Sequence, residues 1–243
     1  MKINIIGNGN VGTVFSNFLR KKADVDVYVR DSHFESEGLK KITRLDVTAD
    51  MTIICVNDDA IHQIVDFLPQ QLNVVHTSGS VPMDVLRRFK NYGVLYPLQT
   101  ISKERMVDLR KVPFLVEGNN ENFLNYLSNF CSQNISDLVH FVDSESRQKI
   151  HLAAVVANNF TTYLLSESSE IIKNQNLSPD ILKPLMEETI AKFFELNYQN
   201  AQTGPAKRND SKTIETHMNL LKGKDLAIIY DLLSKAISAK FNS

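Results

Sequence analysis

Three stretches of the chain carry residue types that can do chemistry. The first is IIGNGNVGTVF, which places Gly7, Gly9 and Gly12 in a GxGxxG spacing directly after an apolar run. Between a strand and a helix each glycine has a task. The first permits a tight turn, the second lets the backbone approach a pyrophosphate, and the third allows close helix–strand packing. The helix N-terminus then attracts the phosphate charge. Gly7, Asn8, Gly9, Asn10, Val11 and Gly12 are therefore the expected cofactor loop; a glycine-rich turn without a ligand is the plainer alternative. The second stretch is RQKIHLAAVVANNF. His151, Val155, Asn158 and Asn159 follow an i, i+4, i+7, i+8 pattern and share one face of a helix. An amide or imidazole buried without a partner costs about 1–3 kcal/mol. Such a polar stripe must face a partner, water or a ligand. Imidazole titrates near neutrality, so His151 is the expected proton donor, with Asn158 and Asn159 as the other candidate catalytic groups. A core histidine bonded to a carbonyl, and asparagines bonding between helices, are the plainer readings.

The third stretch is AQTGPAKRND, residues 201–210, between two helix-like segments. A helix–helix connection needs a few turn residues and little else. Gly204–Pro205 supplies the turn, and Asp210 is expected to cap a helix starting at Ser211. Thr203 and Arg208 remain as candidate substrate contacts, with Arg208 suited to a carboxylate or phosphate. Its alternative role is an ion pair with Asp210.

These groups need elements to hold them. Apolar runs at 2–7, 25–30, 51–56, 72–76, 92–97, 113–118 and 138–142 read as strands. Helical periodicity fills VGTVFSNFLRKK, DAIHQIVDFL, MDVLRRF and ENFLNYLSNFCSQ between them. Short apolar strands alternating with helices predict a mostly parallel sheet covered on both faces. After Val142 the strand signal stops. One long helix is expected from about 144 to 175, a second from Ser178–Pro179 to about Leu196, and two more around Gly223. The predicted organisation is an α/β domain over 1–144 followed by an all-α domain over 145–243.

In a doubly wound sheet, ligands gather at the carboxyl ends of the strands. The polar segments CVNDDAI, HTSGS and YPLQTIS fall there. They nominate Val56, Asn57 and Ser78 for the cofactor, and Gln99 and Thr100 for the substrate. Asp58 or Asp59 reads more simply as a helix cap, and HTSGS can equally be only a turn. The end of the second strand selects the cofactor. Arg30, with Ser32 beside it, suits a 2′-phosphate and favours NADP(H). Asp31 would serve NAD instead if the strand ended one residue later.

HTSGS, YPLQT, PFLVEG, HLAAVVANNF and AQTGPAKRND, in that order along nearly the whole chain, resemble the Rossmann-like proteins with a DUF2520 C-terminal domain. The resemblance implies an NADP-type Rossmann domain and a helical domain similar to that of 6-phosphogluconate dehydrogenase. The wider group includes hydroxyisobutyrate dehydrogenases, ketopantoate reductase and pyrroline-5-carboxylate reductase, with catalysis in an interdomain cleft. There the corresponding helix carries a lysine four residues before an asparagine. Aligned on Asn159, that place holds Val155, so lysine-type catalysis is in doubt. The family name supplies architecture and cofactor class rather than a reaction.

Bulk properties close off other classes. The chain has 243 residues and a net charge of −1, which gives no field to recruit nucleic acid or an anionic membrane. No apolar run approaches the roughly 18 residues of a membrane span. MKINIIG has no signal-peptide pattern, so the cytoplasm is expected. No metal-ligand spacing occurs, and Cys55, inside TIICV, reads as a buried thiol. The expected function is an NADP(H)-dependent oxidoreductase acting on a small polar, anionic carbonyl or imine compound. A non-catalytic NADP(H)-binding sensor is the alternative, and a ligand-free structural domain pair a weaker third. A homodimer through the helical region is expected, because its long helix carries more apolar residues than about 100 residues of helix can cover.

Overall fold

The structure, a computed structural model, describes residues 1–29 and 38–242. By internal contacts the chain divides into two compact units, Met1–Asn159 and Phe160–Ser243. The first unit thus takes in the start of the helix that the sequence assigns to the second domain. The reason is specific packing of that helix against the sheet, described below.

The first unit is built on eight strands. They are β1 (Lys2–Ile6), β2 (Asp24–Val29), β3 (Leu39–Lys41), β4 (Met51–Ile54), β5 (Asn73–His76), β6 (Asn91–Pro97), β7 (Phe114–Gly118) and β8 (Val139–Phe141). Their order in the sheet is β3-β2-β1-β4-β5-β6-β7-β8. All neighbours are parallel except β6 and β7, which are antiparallel. Seven of these strands are the runs expected from sequence. β3 was missed because it has three residues and only an edge position, too short for a hydrophobic pattern. Helices α1 (Asn10–Leu19), α2 (Asp58–Phe67) and α3 (Glu121–Asn134) connect the strands. MDVLRRF, expected as a helix, forms only a 3-10 turn, Met83–Leu86.

The core lies on both faces of the sheet. Phe15, Leu19, Ile53, Phe114 and Leu127 belong to one buried cluster; Ile54, Ile61, Val74 and Leu86 belong to the other. Cys55 and Cys131 are buried free thiols, and burial pushes both up to about 12. Reactive thiolate chemistry is thereby suppressed.

After β8, α4 (Ser144–Ala154) begins with Asp143 accepting from the Ser146 amide at 2.7 Å. The expected single helix does not continue. Val155–Phe160 is a π-helical turn, followed by α5 (Thr161–Lys173). The second unit continues with α6 (Lys183–Ala201), α7 (Ser211–Leu220) and α8 (Leu226–Phe241). Gly223, between α7 and α8, has φ +79° and ends the first of them where other residues would be strained. No described helix is long and apolar enough to cross a membrane.

Candidate active site

The carboxyl edge of the parallel strands gathers most of the expected groups. Gly7 follows β1 and donates its amide to the Tyr28 carbonyl on one side at 2.8 Å, while Cys55 donates to Ile6 on the other at 2.7 Å. This is the place where the strand order changes direction, between β1 and β4, and it is where doubly wound sheets bind ligands. Gly7 has φ +111°, and a side chain there would collide with the Cys55 carbonyl. A side chain on Gly12 would collide with the Gly7 carbonyl. A Cβ on Gly9 would meet nothing within 4 Å. Two glycines are therefore required by the protein itself, and the third leaves open space against the backbone.

α1 begins at that space with no side-chain cap and no acidic residue in its first turn. By contrast α3, α4 and α7 are capped by Asn120, Asp143 and Asp210. The free amides and the positive end of the α1 dipole are available to a phosphate. The Asn8 carboxamide oxygen accepts from Thr13 Oγ1 at 3.0 Å, which fixes the turn. Val56 packs beside Gly7, and Asn57 is the N-cap position of α2 without a side-chain bond. Asp58 and Asp59 lie inside the first turn of α2 rather than capping it, and Asp58 accepts from Ser80 Oγ. Ser78 is committed to its own loop, accepting from the amides of Ser80 at 3.1 Å and Val81 at 3.0 Å. Arg30, Asp31 and Ser32, the expected cofactor selectors, lie outside the described residues.

A groove of about 620 Å³ opens past the end of β6. Tyr96, Leu98, Gln99 and Thr100 form one wall, and residues Ile150 to Asn159 contribute the other, among them His151, Val155, Asn158 and Asn159. Gln99, Thr100, His151, Asn158 and Asn159 were expected separately as substrate and catalytic residues; the fold brings all five to one groove. The π turn spans the residues that carry both asparagines. Such turns occur mostly as single insertions in α-helices, often at functional sites. Asn158 Nδ2 donates to Asn159 Oδ1 at 3.2 Å. Lysine is absent from the groove lining, with Val155 at the place the resemblance reserves for it.

Two groups that hold His151 and its helix were not foreseen. Tyr96 Oη lies 2.9 Å from His151 Nδ1, with the rings edge to face. One turn earlier, Arg147 is fully buried. It pairs with Glu117 on β7 and donates to the Val81 carbonyl. Ser144 Oγ donates to Glu117 at 2.9 Å and accepts from the Met83 amide, also at 2.9 Å. Gln148 Nε2 donates to the Ser80 carbonyl at 2.7 Å. These bonds fasten α4 to β7 and to the loop after β5, and so place His151. Desolvation lowers the Arg147 pKa, and Glu117 opposes that shift. His76, at the end of β5, is buried too, and desolvation brings it down to about 3, so it remains neutral. Glu117 inside the apolar strand PFLVEG was the available sequence signal for a buried ion pair.

In the second unit the loop AQTGPAKRND is largely occupied with its own folding. Gly204 has φ +108° and Asn209 φ +54°. Lys207 donates to the Gln202 carbonyl at 2.9 Å, and Asn209 Oδ1 accepts from Ser238 and Asn242 of the C-terminal segment. Asp210 caps α7, accepting from the Thr213 amide at 3.1 Å; this bonding with Thr213 holds its carboxyl below the usual range. Thr203 and Arg208 are exposed, and no ion pair joins Arg208 to Asp210 among the described salt bridges.

The sheet order, the glycine turn at the switch point and the following helical unit define a Rossmann-type α/β protein with an all-α C-terminal part. The chain belongs to the DUF2520 family: residues 112–237 match the model described as a domain of unknown function. A candidate NADP oxidoreductase from Bacteroides fragilis is 33% identical, over 98% of each chain, with a TM-score of 0.87. A Thermotoga maritima protein is 22% identical over 99% of this chain and 100% of its own, with a TM-score of 0.78. A reductive aminase from Aspergillus terreus, in complex with NADPH and ethyl levulinate, is 15% identical over 98% of this chain and 94% of its own, with a TM-score of 0.73. The last two share the fold. No curated protein matches the chain significantly.

Proposed function

We propose that this protein is an NADP(H)-dependent oxidoreductase that reduces a small polar carbonyl or imine compound. The observation that carries the reading is the groove holding His151, Asn158, Asn159, Gln99 and Thr100 in the unit that also bears the glycine turn. Relatives named for NADP oxidoreduction, or bound to NADPH, support the cofactor class. Residues 1–144 would form the cofactor-binding domain and 145–243 the helical one. The open backbone at Gly9 and the uncapped start of α1 would hold the pyrophosphate. Arg30, with Ser32, would hold the 2′-phosphate. When bound, NADPH supplies the hydride. His151 would donate the proton to the substrate heteroatom, and Asn158 and Asn159 would orient the substrate. An anionic substrate group has its candidate partners in Arg208 and Thr203, both exposed on the helical unit's loop. Two buried free thiols suit a reducing cytoplasm.

Fluorescence titration with NADPH and NADH tests the reading, followed by a turnover assay over keto acids, aldehydes and imines. NADPH should bind more tightly. Losing a charge-assisted hydrogen bond costs about 1.5–3 kcal/mol. Arg30→Ala should thus weaken NADPH roughly tenfold or more and leave NADH nearly unchanged. Equal affinity of the wild type for both cofactors would remove the Arg30 assignment. Tight NADPH binding without turnover across the panel would favour a sensor.

The protein should also be a homodimer through its helical unit. Among the described residues of that unit only Ala206 and Leu221 are buried hydrophobics. Phe194 is 80% exposed, and Leu185, Ile190, Ile228 and Leu232 each exceed half exposure. Apolar surface of this extent on helices calls for a partner, and two-fold dimers are the commonest assembly. Light scattering at micromolar concentration should report twice the 27.5 kDa chain mass, and Phe194→Asp should lower it. A monomeric mass for the wild type would exclude the dimer.

A further inference from the structure

We infer that Tyr96 is a positioning residue for His151: it occupies Nδ1 and leaves Nε2 as the nitrogen that serves the groove. The inference rests on the reading of His151 as proton donor and adds a residue to it. Its first basis is geometric. Tyr96 Oη and His151 Nδ1 are 2.9 Å apart, the ring centroids 5.6 Å apart and the rings at 83°. Both residues line the groove.

The second basis is that the imidazole is closely packed along its Nδ1 and Cγ edge. Gly79, in the loop after β5, is packed against it so closely that a Cβ there would come within 2.5 Å of Nδ1 and 2.6 Å of Cγ. Gly79 has no positive φ. Its lack of a side chain therefore answers the space taken by the histidine rather than a backbone requirement. The ring is in contact with both a hydroxyl and a bare backbone.

The third basis is chemical. Burial raises the Tyr96 pKa, with the Arg147 charge acting in the opposite direction, so the phenol keeps its proton at neutral pH. A neutral phenol can donate to a bare Nδ1 and can accept from Nδ1–H. Tyr96 can thus hold the same nitrogen before and after the ring gains a proton. With the ring protonated, the Nε2–H bond would break and the proton would pass to the substrate heteroatom, while NADPH, when bound, would supply the hydride to the substrate carbon. The ring is left neutral, still bonded through Nδ1. Without the hydroxyl the ring is free to exchange tautomers and orientation, and a general acid in the wrong tautomer loses most of its effect.

The test is nitrogen-15 NMR of the His151 side chain in the full-length protein, comparing wild type, Tyr96→Phe and Gly79→Ala. In the wild type, Nδ1 should show the shift of a hydrogen-bonded nitrogen. Tyr96→Phe, which keeps the ring, should lose that signature, and Gly79→Ala should lose it by displacing the imidazole. Where a substrate is turned over, Tyr96→Phe should lower kcat by about ten- to a hundredfold and leave KM unchanged. An Nδ1 shift that survives Tyr96→Phe overturns the inference, as does a rate loss confined to KM. Failure of the wild type to bind NADPH would remove the oxidoreductase reading alone, because the NMR comparison decides the Tyr96–His151 bond without cofactor or substrate.

Discussion

Replacing Arg147 by alanine lowers the stability of the protein by about 3–5 kcal/mol, the cost of breaking a buried ion pair by removing one partner. Arg147 has no exposed surface, and its pair Glu117 sits on β7. Alanine would strand that carboxylate in a poorly solvated site, leave the Val81 carbonyl without its donor and open a cavity under α4. For a chain of this size the melting temperature should fall on the order of 10 °C. The double variant Arg147→Met, Glu117→Leu removes both charges and should recover much of the loss, because apolar replacement of a whole buried pair is often neutral. Urea denaturation of Arg147→Met, Glu117→Leu and the double variant measures the coupling. A loss below about 1 kcal/mol for Arg147→Ala would show that α4 is held by other contacts.

Replacing His151 by glutamine lowers turnover about 10²–10⁴-fold, the usual worth of a general acid. The amide keeps a polar group of similar reach and cannot exchange a proton near neutrality. NADPH affinity should survive, because His151 is separate from the glycine turn, and the melting temperature should change little, because the imidazole is only half buried. Steady-state rates on the first substrate found, with cofactor titration of the same variant, check this expectation. Full activity in His151→Gln would transfer the proton to water or to a substrate group. The two variants also separate two roles that lie one helical turn apart. Arg147 should govern stability and His151 the rate.

Much of the fold was legible because it rests on local patterns. Apolar runs separated by helical periodicity gave seven of the eight strands and the parallel order. The spacing of Gly7, Gly9 and Gly12 gave the turn, since φ +111° at Gly7 and the contact between Gly12 and the Gly7 carbonyl admit only glycine. Asp210 was readable as a cap because capping is a bond over three residues. Gly204 and Gly223, both at positive φ, were readable as breaks for the same local reason.

What sequence left hidden depends on approach between distant segments. Periodicity assumed an uninterrupted helix from 144 to 175, and the π turn at Val155–Phe160 alters that register. Ser78 was read for its side chain alone, and its hydroxyl also accepts from two amides of its own loop. Asp58 looked like a cap, yet it bonds to Ser80, 22 residues away.

The sequence by itself determined the Rossmann-type sheet, the glycine turn and the residue types offered for catalysis, because strand alternation, positive φ and helix capping are decided within a few neighbouring residues. Only the tertiary structure decided which of those residues meet. His151 acquires Tyr96 from a strand 55 residues earlier, and Arg147 acquires Glu117 across 30 residues. Such pairs form because desolvated polar groups must find partners wherever packing brings their segments together.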